Sequence, residues 1–165
     1  MSIKGRVWKY GDDINTDVIF PGKYTYSVSD ESEMAKYALE DLDPSFAKDV
    51  KAGDIIVAGK NFGCGSSREQ AAICLKSAGV GVVVAKSFAR IFFRNAINAG
   101  LWAITNDKIQ NIVEKGDTIE IDLEKGEIIA GDRHLHFPPY PEQVKRIIEA
   151  GGLIPYIKSS TRRGK

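Results

Sequence analysis

The sequence predicts an α/β domain whose mixed sheet has a parallel part, flanking helices and an antiparallel hairpin region. Segments with strand and helix periodicity alternate along most of the 165 residues, as in domains with helices packed on a sheet. Residues 80–85 are continuously apolar, which is typical of a strand buried on both faces. Residues 118–123 instead alternate between polar and apolar side chains and lead into Glu124-Lys125-Gly126, which predicts a hairpin.

The first third of the chain predicts two strands separated by a polar loop and a helix. Residues 5–10 open as a strand, and residues 11–17 follow as a polar loop. Residues 32–42 place apolar side chains at helical spacing along one face. Residues 54–59 are apolar again and form the second predicted strand.

The middle of the chain predicts alternating helices and strands. A helix is expected over about 67–78, followed by a strand at 80–85, a helix at 88–98 and a strand at 101–104. Gly100 suits the C-terminal cap of the second helix. This β-α-β-α-β order implies right-handed crossovers and a parallel arrangement.

The last third of the chain predicts the hairpin region and one further helix. A run rich in proline, residues 138–141, interrupts the chain before that helix. The helix is expected over 142–150 and to end at Gly151 or Gly152.

Length and composition predict one domain, residues 1–165, in a soluble cytoplasmic protein. The net charge of +1 gives no signal for nucleic acid, and the basic residues Arg162, Arg163 and Lys165 are predicted to form a frayed tail from about 159. No apolar segment suits a leader peptide or a membrane span. The two cysteines, Cys64 and Cys74, form no CxxC pair; we interpret them as reduced thiols with structural roles rather than as a nucleophile or metal ligands.

The segment from Asn61 to Glu69 is the main candidate for a functional site. Gly63 and Gly65 permit a sharp turn, and Ser66, Ser67 and Arg68 follow where a helix is predicted to begin. Helix N-termini and arginine both favour anions. No lysine follows the second glycine as in a nucleotide loop, so we expect a small carboxylate or phosphate ligand. The alternative is a tight turn with a serine N-cap and a surface ion pair.

Two further pairs of residues have open interpretations. His134 and His136 share one face of a predicted strand and lie far in sequence from other metal ligands; a surface or packing role is favoured over metal binding. Arg90 and Arg94 lie four residues apart on a predicted helix. They could form an anion-binding patch, but such a pair is more often a solvated face or an interface contact.

Three segments in this order resemble the swivelling domain of the aconitase superfamily. They are residues 13–21, 63–69 and 86–92, and residues 151–156 resemble the end of the stand-alone prokaryotic version. That version is the small subunit of 3-isopropylmalate dehydratase or of homoaconitase. The resemblance implies a swivelling β/β/α fold and a large-subunit partner that carries a 4Fe-4S cluster, in a heterodimer or heterotetramer. This chain is expected to bind no metal or cofactor itself, and to self-associate when isolated.

The resemblance also implies roles for individual residues. Ser66 matches the family's general base, which removes a proton from the carbon next to a carboxylate. Ser67 and Arg68 match residues that bind the substrate carboxylate, and Asp17 matches an aspartate of the active site. A serine acts as a base only where positive charge stabilises its oxyanion, and Arg68 with the helix N-terminus is expected to supply that charge. For Asp17, a role in a turn or cap is the alternative.

The residues after Pro21 are expected to determine the substrate. In relatives this loop meets the variable side arm of the substrate. Tyr24, Thr25, Tyr26 and Ser27 occupy it here, without an arginine. Because a buried carboxylate without a cationic partner is costly, the loop favours isopropylmalate over a substrate with a third carboxylate. Tyr26 suits both an apolar arm and a hydrogen bond to a carboxylate, which leaves homoaconitase activity as the alternative.

Three classes of function are therefore compared. The leading one is an amino-acid biosynthetic hydro-lyase subunit that is active only with its partner. The second is a carboxylate-binding module without chemistry. The third, an independent hydrolase, is disfavoured because the glycine loop lacks the Gly-x-Ser-x-Gly arrangement.

Overall fold

A computed structural model describes residues 1–163 of the chain. Within them lie seven strands and seven α-helices. The strands are β1 Ser2–Lys9, β2 Ile55–Ala58, β3 Val82–Ala85, β4 Trp102–Thr105, β5 Thr118–Asp122, β6 Glu127–Ala130 and β7 Arg133–His136. The helices are α1 Thr16–Ile19, α2 Glu31–Ala35, α3 Phe46–Asp49, α4 Glu69–Ser77, α5 Arg90–Ala99, α6 Glu142–Glu149 and α7 Leu153–Arg163.

The strands form one mixed sheet in the order β4-β3-β2-β1-β5-β6-β7. Strands β4, β3, β2 and β1 pair in parallel, and β5 to β7 pair antiparallel, beginning with β5 on β1. The first strand is therefore the border between two halves of the sheet. Both the parallel unit and the antiparallel hairpin region predicted from the sequence are confirmed.

Burial explains why the parallel strands lie inside the domain. Every residue of β2 and of β3 is buried, which confirms the two-sided burial predicted from the apolar run at 80–85. Alternate residues contribute to two cores: Ile56 and Val83 pack on the face that α4 and α5 cover. Val57 and Val84 pack on the opposite face, which includes Ile148 of α6.

The helix predicted over 32–42 is shorter than its apolar spacing indicates. Helix α2 begins after Asp30, whose side chain accepts a hydrogen bond from the Ser32 backbone N–H at 2.8 Å, and it ends at Ala35. Turns continue the chain to residue 42. Leu39 adopts a left-handed φ of 56° and donates its backbone N–H to the Ile19 carbonyl, so a tertiary contact replaces the helical hydrogen bond.

The segment predicted as a frayed basic tail is helical as far as Arg163. Helix α7 begins directly after the two glycines that were expected to end the preceding helix. Pro155 lies in its first turn, where the missing N–H removes no helical hydrogen bond. Lys165 lies outside the described residues. Among the helices of residues 1–163, none has the length and apolar character needed to cross a membrane.

Candidate active-site cleft

A cleft of about 270 Å³ lies between the glycine loop that follows β2 and the start of α5, which follows β3. Both segments leave the carboxyl ends of neighbouring parallel strands, where α/β proteins commonly bind ligands. The lining residues are Thr16, Gly63, Gly65, Ser66, Ser67, Arg68, Ala89, Arg90, Ile91, Phe92 and Asn95. The cleft therefore contains the main site predicted from the sequence.

The glycine loop needs glycine for two separate reasons. Gly63 and Gly65 have φ values of +81° and +94°, a region that side chains other than glycine rarely adopt. At Gly63 a Cβ atom would also overlap the ring of Phe92. The Gly63 backbone N–H donates to the Ile14 carbonyl at 2.7 Å, so the loop is fixed to the polar segment after β1.

Thr16 fixes the part of the loop that carries Ser66. Its backbone N–H donates to the Cys64 carbonyl at 2.9 Å, and its Oγ1 donates to the Ser66 carbonyl at 2.8 Å. Thr16 is only 2% exposed, whereas the Ser66 side chain faces solvent. The backbone of Ser66 is therefore held while its hydroxyl stays accessible. Sequence reasoning included Thr16 in a resembling segment but gave it no role.

Helix α4 begins later than predicted. Its first residue is Glu69, and its N-cap is Arg68, whose extended backbone has φ −131° and ψ 116° and whose side chain makes no capping bond. Ser66 and Ser67 precede the helix and are both exposed. The helix thus begins two residues after the predicted start near Ser67, and the alternative of a serine N-cap is wrong.

Arg68 joins the glycine loop to two of the other predicted site residues. Its Nη1 donates to Thr25 Oγ1 at 2.7 Å, and its Nη2 forms an ion pair with Asp17 Oδ1. Gly22 packs beside this pair. The Arg68 side chain is 14% exposed, and its Nε–H is buried without a hydrogen-bond partner among residues 1–163. The contacts within the chain therefore use only part of the hydrogen-bonding capacity of Arg68.

The rest of the predicted substrate loop lies outside the cleft lining. The Tyr24 ring stacks on Tyr37 with centroids 4.0 Å apart, and its hydroxyl donates to Glu40 Oε1 at 3.1 Å. This hydrogen bond is the main cause of a raised pKa of Tyr24. Tyr26 is fully exposed, and Ser27 is also exposed. The structure thus brings Thr25 to Arg68 and leaves the Tyr26 ring free to meet a ligand or a partner.

The first turn of α5 forms the wall opposite the glycine loop. Arg90 is its first residue and lines the cleft with Ile91 and Asn95. Arg94, one turn later, is exposed outside the lining. The two arginines, paired in the sequence-based interpretation, therefore have different surroundings.

The remaining candidates lie outside the cleft or away from its surface. Cys74 is fully buried and its Sγ lies 3.2 Å from the Ala71 carbonyl; burial raises the pKa of this thiol, which suits a structural role. His134 lies on the edge strand β7 and pairs with Glu127 at 2.5 Å. Within residues 1–163, no group of three or more His, Cys, Asp or Glu side chains is arranged to hold a metal ion.

Comparison with known proteins agrees with this architecture. The profile of the Aconitase C-terminal domain family matches residues 12–108. The chain is 50% identical over 164 residues to the 3-isopropylmalate dehydratase small subunit of Halothermothrix orenii, covering 98% of this chain and 99% of that protein. It is 52% identical over 161 residues to the small subunit from Aquifex aeolicus, covering 96% and 95%.

A solved structure extends the agreement to three dimensions. The crystal structure of a 3-isopropylmalate dehydratase from Methanocaldococcus jannaschii superposes with a TM-score of 0.92 at 46% identity, covering 99% of this chain and 98% of that one. The fold is therefore the aconitase-type swivelling domain, as the sequence predicted. The chain belongs to the Aconitase C-terminal domain family and, within it, to the 3-isopropylmalate dehydratase small subunits.

Proposed function

We propose that this chain is the small subunit of a hydro-lyase that isomerises 2-isopropylmalate to 3-isopropylmalate by dehydration and rehydration, in leucine biosynthesis. The observation that carries the proposal is the cleft, where an accessible Ser66 hydroxyl lies on a fixed loop beside Arg68. Identity of about half over nearly the whole chain to named small subunits supports the same reaction.

Ser66 is proposed as the general base. Its Oγ takes the proton from the carbon next to a carboxylate, the electrons of that C–H bond form the double bond, and the hydroxyl on the neighbouring carbon leaves. Addition of water with the opposite orientation gives the isomer. Arginine side chains in the cleft favour the oxyanion that Ser66 needs for this step.

Ser67 and Arg68 are proposed to hold the carboxylate next to the reacting carbon. Arg68 lines the cleft and supplies the positive charge, and the contacts to Asp17 and Thr25 fix its guanidinium. Asp17 is thereby assigned a positioning role. Thr25 accepts a hydrogen bond from the same guanidinium. The loop proposed to meet the side arm of the substrate is therefore attached to the arginine proposed to hold its carboxylate.

The partner is proposed to be a large subunit carrying an iron–sulfur cluster, in a heterodimer or heterotetramer. The two free cysteines of this chain do not suit a cluster, because Cys74 is buried and no set of three ligands exists among the described residues. A cluster on the partner supplies the Lewis acid that loss of a hydroxyl requires. Free thiols suit a reducing compartment, and the cytoplasm is the proposed location.

Isopropylmalate is the proposed substrate because the loop at 22–27 carries no arginine. A third carboxylate, as in homoaconitate, would find no arginine at 24–27, and the lysine of this loop, Lys23, is already paired with Glu40. The fully exposed Tyr26 favours a second candidate, added turnover of homoaconitate, since its hydroxyl is free to donate to a carboxylate.

The test is turnover by the chain mixed with an anaerobically reconstituted large subunit, with isopropylmalate and homoaconitate assayed side by side. Ser66→Ala is expected to lower kcat by about 10³-fold, the usual range for loss of a general base. Ser160→Ala, an exposed serine of α7 outside the cleft lining, is the matched control and keeps full activity.

Each other result has a defined meaning. Complex formation without turnover of either substrate favours the non-catalytic carboxylate-binding module. Turnover of homoaconitate alone overturns the choice of substrate. Full activity of Ser66→Ala overturns the assignment of the base while leaving the reaction in place.

A further inference from the structure

The charge of the cleft is unbalanced. Its two charged lining residues are both arginines, Arg68 and Arg90, and no acidic side chain lines it. Asp17, which does not line the cleft, forms an ion pair with Arg68. The lining therefore keeps a positive charge at Arg90 that complements an anionic group of a ligand.

The two arginines differ in the contacts that their side chains make within the chain. Arg68 has an ion pair with Asp17 and a hydrogen bond with Thr25. Arg90 is exposed and has neither kind of contact with any side chain in the described part of the chain. Its guanidinium is thus free to bind an anion that enters the cleft.

The backbone under Arg90 is nevertheless firmly placed relative to the glycine loop. The preceding residue, Ala89, donates its N–H to the Phe62 carbonyl at 2.9 Å. Phe92, two residues along the same helix, packs its ring with the centroid 5.2 Å from that of Phe62 and directly against Gly63. Both walls of the cleft are therefore parts of one packed unit, and the position of Arg90 relative to Ser66 is set by the fold.

We propose that Arg90 binds the second carboxylate of the substrate, opposite the carboxylate held by Ser67 and Arg68. The inference rests on the proposed function, whose substrate is a hydroxy acid with two carboxylates. An arginine suits this task because its planar fork matches a carboxylate in two hydrogen bonds. Arg90 selects dicarboxylates over monocarboxylates, whereas the loop at 22–27 distinguishes their side arms.

The test compares Arg90→Ala, Arg90→Lys and Arg94→Ala in the complex with the large subunit. Arg90→Ala is expected to raise KM for isopropylmalate about 30-fold, as for loss of a charge-assisted pair, with a smaller change in kcat. Arg90→Lys recovers part of the loss, because it keeps the charge without the fork. Arg94→Ala, an exposed arginine of the same helix, leaves both constants unchanged.

Inhibition constants of competitive inhibitors separate carboxylate binding by Arg90 from a purely structural role. Loss of a structural role would weaken all inhibitors alike. Malate has two carboxylates, and 2-hydroxy-4-methylpentanoate has one. Arg90→Ala is expected to weaken inhibition by malate about 30-fold and to leave inhibition by the monocarboxylate unchanged. Equal weakening of both inhibitors, or no change for malate, overturns the proposal.

Failure of this inference is distinguishable from failure of the proposed function. If the wild-type complex turns over neither substrate, the function fails, and calorimetric binding of malate to wild-type and Arg90→Ala complexes still tests Arg90. Equal affinities of the two complexes for malate, or no binding by either, overturn the assignment. Weaker binding only in Arg90→Ala supports it.

Discussion

The parallel and antiparallel halves of the sheet share β1 as a border and both carry a depression, but they differ in what surrounds it. The cleft of the parallel half lies between two chain segments that are fixed to each other by the Ala89–Phe62 hydrogen bond and by the packing of Phe92 on Phe62. The antiparallel half has a larger and more open groove, about 690 Å³, lined by Lys108, Asn111, Ile112, Asp132, Arg133, His134 and Leu135.

The difference shows that volume alone does not define a site. The groove mixes both signs of charge, and its His134 already has a partner in Glu127. The cleft is smaller, but its charged lining residues have one sign and its serine hydroxyls are accessible. The comparison predicts that substitutions in the parallel half disturb fold and turnover more than equivalent ones in the antiparallel half.

The largest effect is expected from Gly63→Ala compared with Gly116→Ala. Both glycines have left-handed φ values, so each alanine incurs a backbone cost of about 1–2 kcal/mol. Only at Gly63 does the new Cβ also overlap the Phe92 ring, whereas nothing lies within 4 Å at Gly116. Overpacking adds about 1–3 kcal/mol, so Gly63→Ala is expected to lose about 3 kcal/mol in urea unfolding. Equal losses at both positions would contradict the packing argument.

The next effect concerns Asp54, at the start of β2. Its carboxylate accepts hydrogen bonds from Trp8 Nε1 and the Lys51 backbone N–H, both at 2.9 Å, and pairs with Arg6 at 3.3 Å. Burial raises the pKa of Asp54, but these bonds together outweigh burial and the net pKa is lowered. Asp54 therefore stabilises the fold above its unfolded pKa of about 3.9, and this contribution disappears as pH falls through the folded pKa.

Asp54→Asn is accordingly expected to lose about 2 kcal/mol at pH 7 and to flatten the acid limb of the stability curve below about pH 4. Asp122 in the β5–β6 turn is the control. Backbone N–H bonds from Lys125 and Glu124 lower its pKa, so Asp122→Asn changes the acid limb in the same direction but by less. Urea unfolding from pH 2 to 7 measures both. An acid limb for Asp54→Asn as steep as that of wild type would contradict the assignment.

A smaller effect on turnover is expected from Thr16→Val. The substitution keeps the shape of the side chain but removes the hydrogen bond from Oγ1 to the Ser66 carbonyl. Loss of about 1 kcal/mol of positioning corresponds to a kcat reduced about fivefold in the complex, with KM less affected. Thr16→Ser restores the rate, and Thr118→Val on the exposed start of β5 has no effect. A normal rate for Thr16→Val would show that Ser66 needs no such support.

The smallest effect is expected in the groove of the antiparallel half. His134→Ala removes a hydrogen bond with Glu127 made by a side chain that is 53% exposed, and such surface contacts contribute little to stability. Turnover and KM of the complex are expected to stay within about twofold of wild type. A large loss of turnover would contradict the proposed difference between the two halves and would assign the groove a functional role.

The sequence by itself determined the layered α/β class and predicted which loop lines the cleft. The continuous apolar run at 80–85 predicts a strand buried on both faces, because only a central strand has no solvent-facing side. The glycines, serines and arginine at 63–68 predict an anion site, because each residue type has a distinct role in binding one. These inferences depend on residue types and their spacing within short segments, which can be read from the sequence alone.

Only the tertiary structure decided how the loop ends and what its arginines contact. Helix α4 starts at Glu69 because Arg68 has an extended backbone, and the Ser66 carbonyl before it accepts a hydrogen bond from Thr16, fifty residues earlier. Helix α7 follows two glycines because Gly152 packs against the Asn98 carbonyl with φ +128°. Arg90 lines the cleft and Arg94 does not, because the packing of Phe92 under Gly63 orients α5. Such contacts join distant parts of the chain, so local sequence patterns do not reveal them.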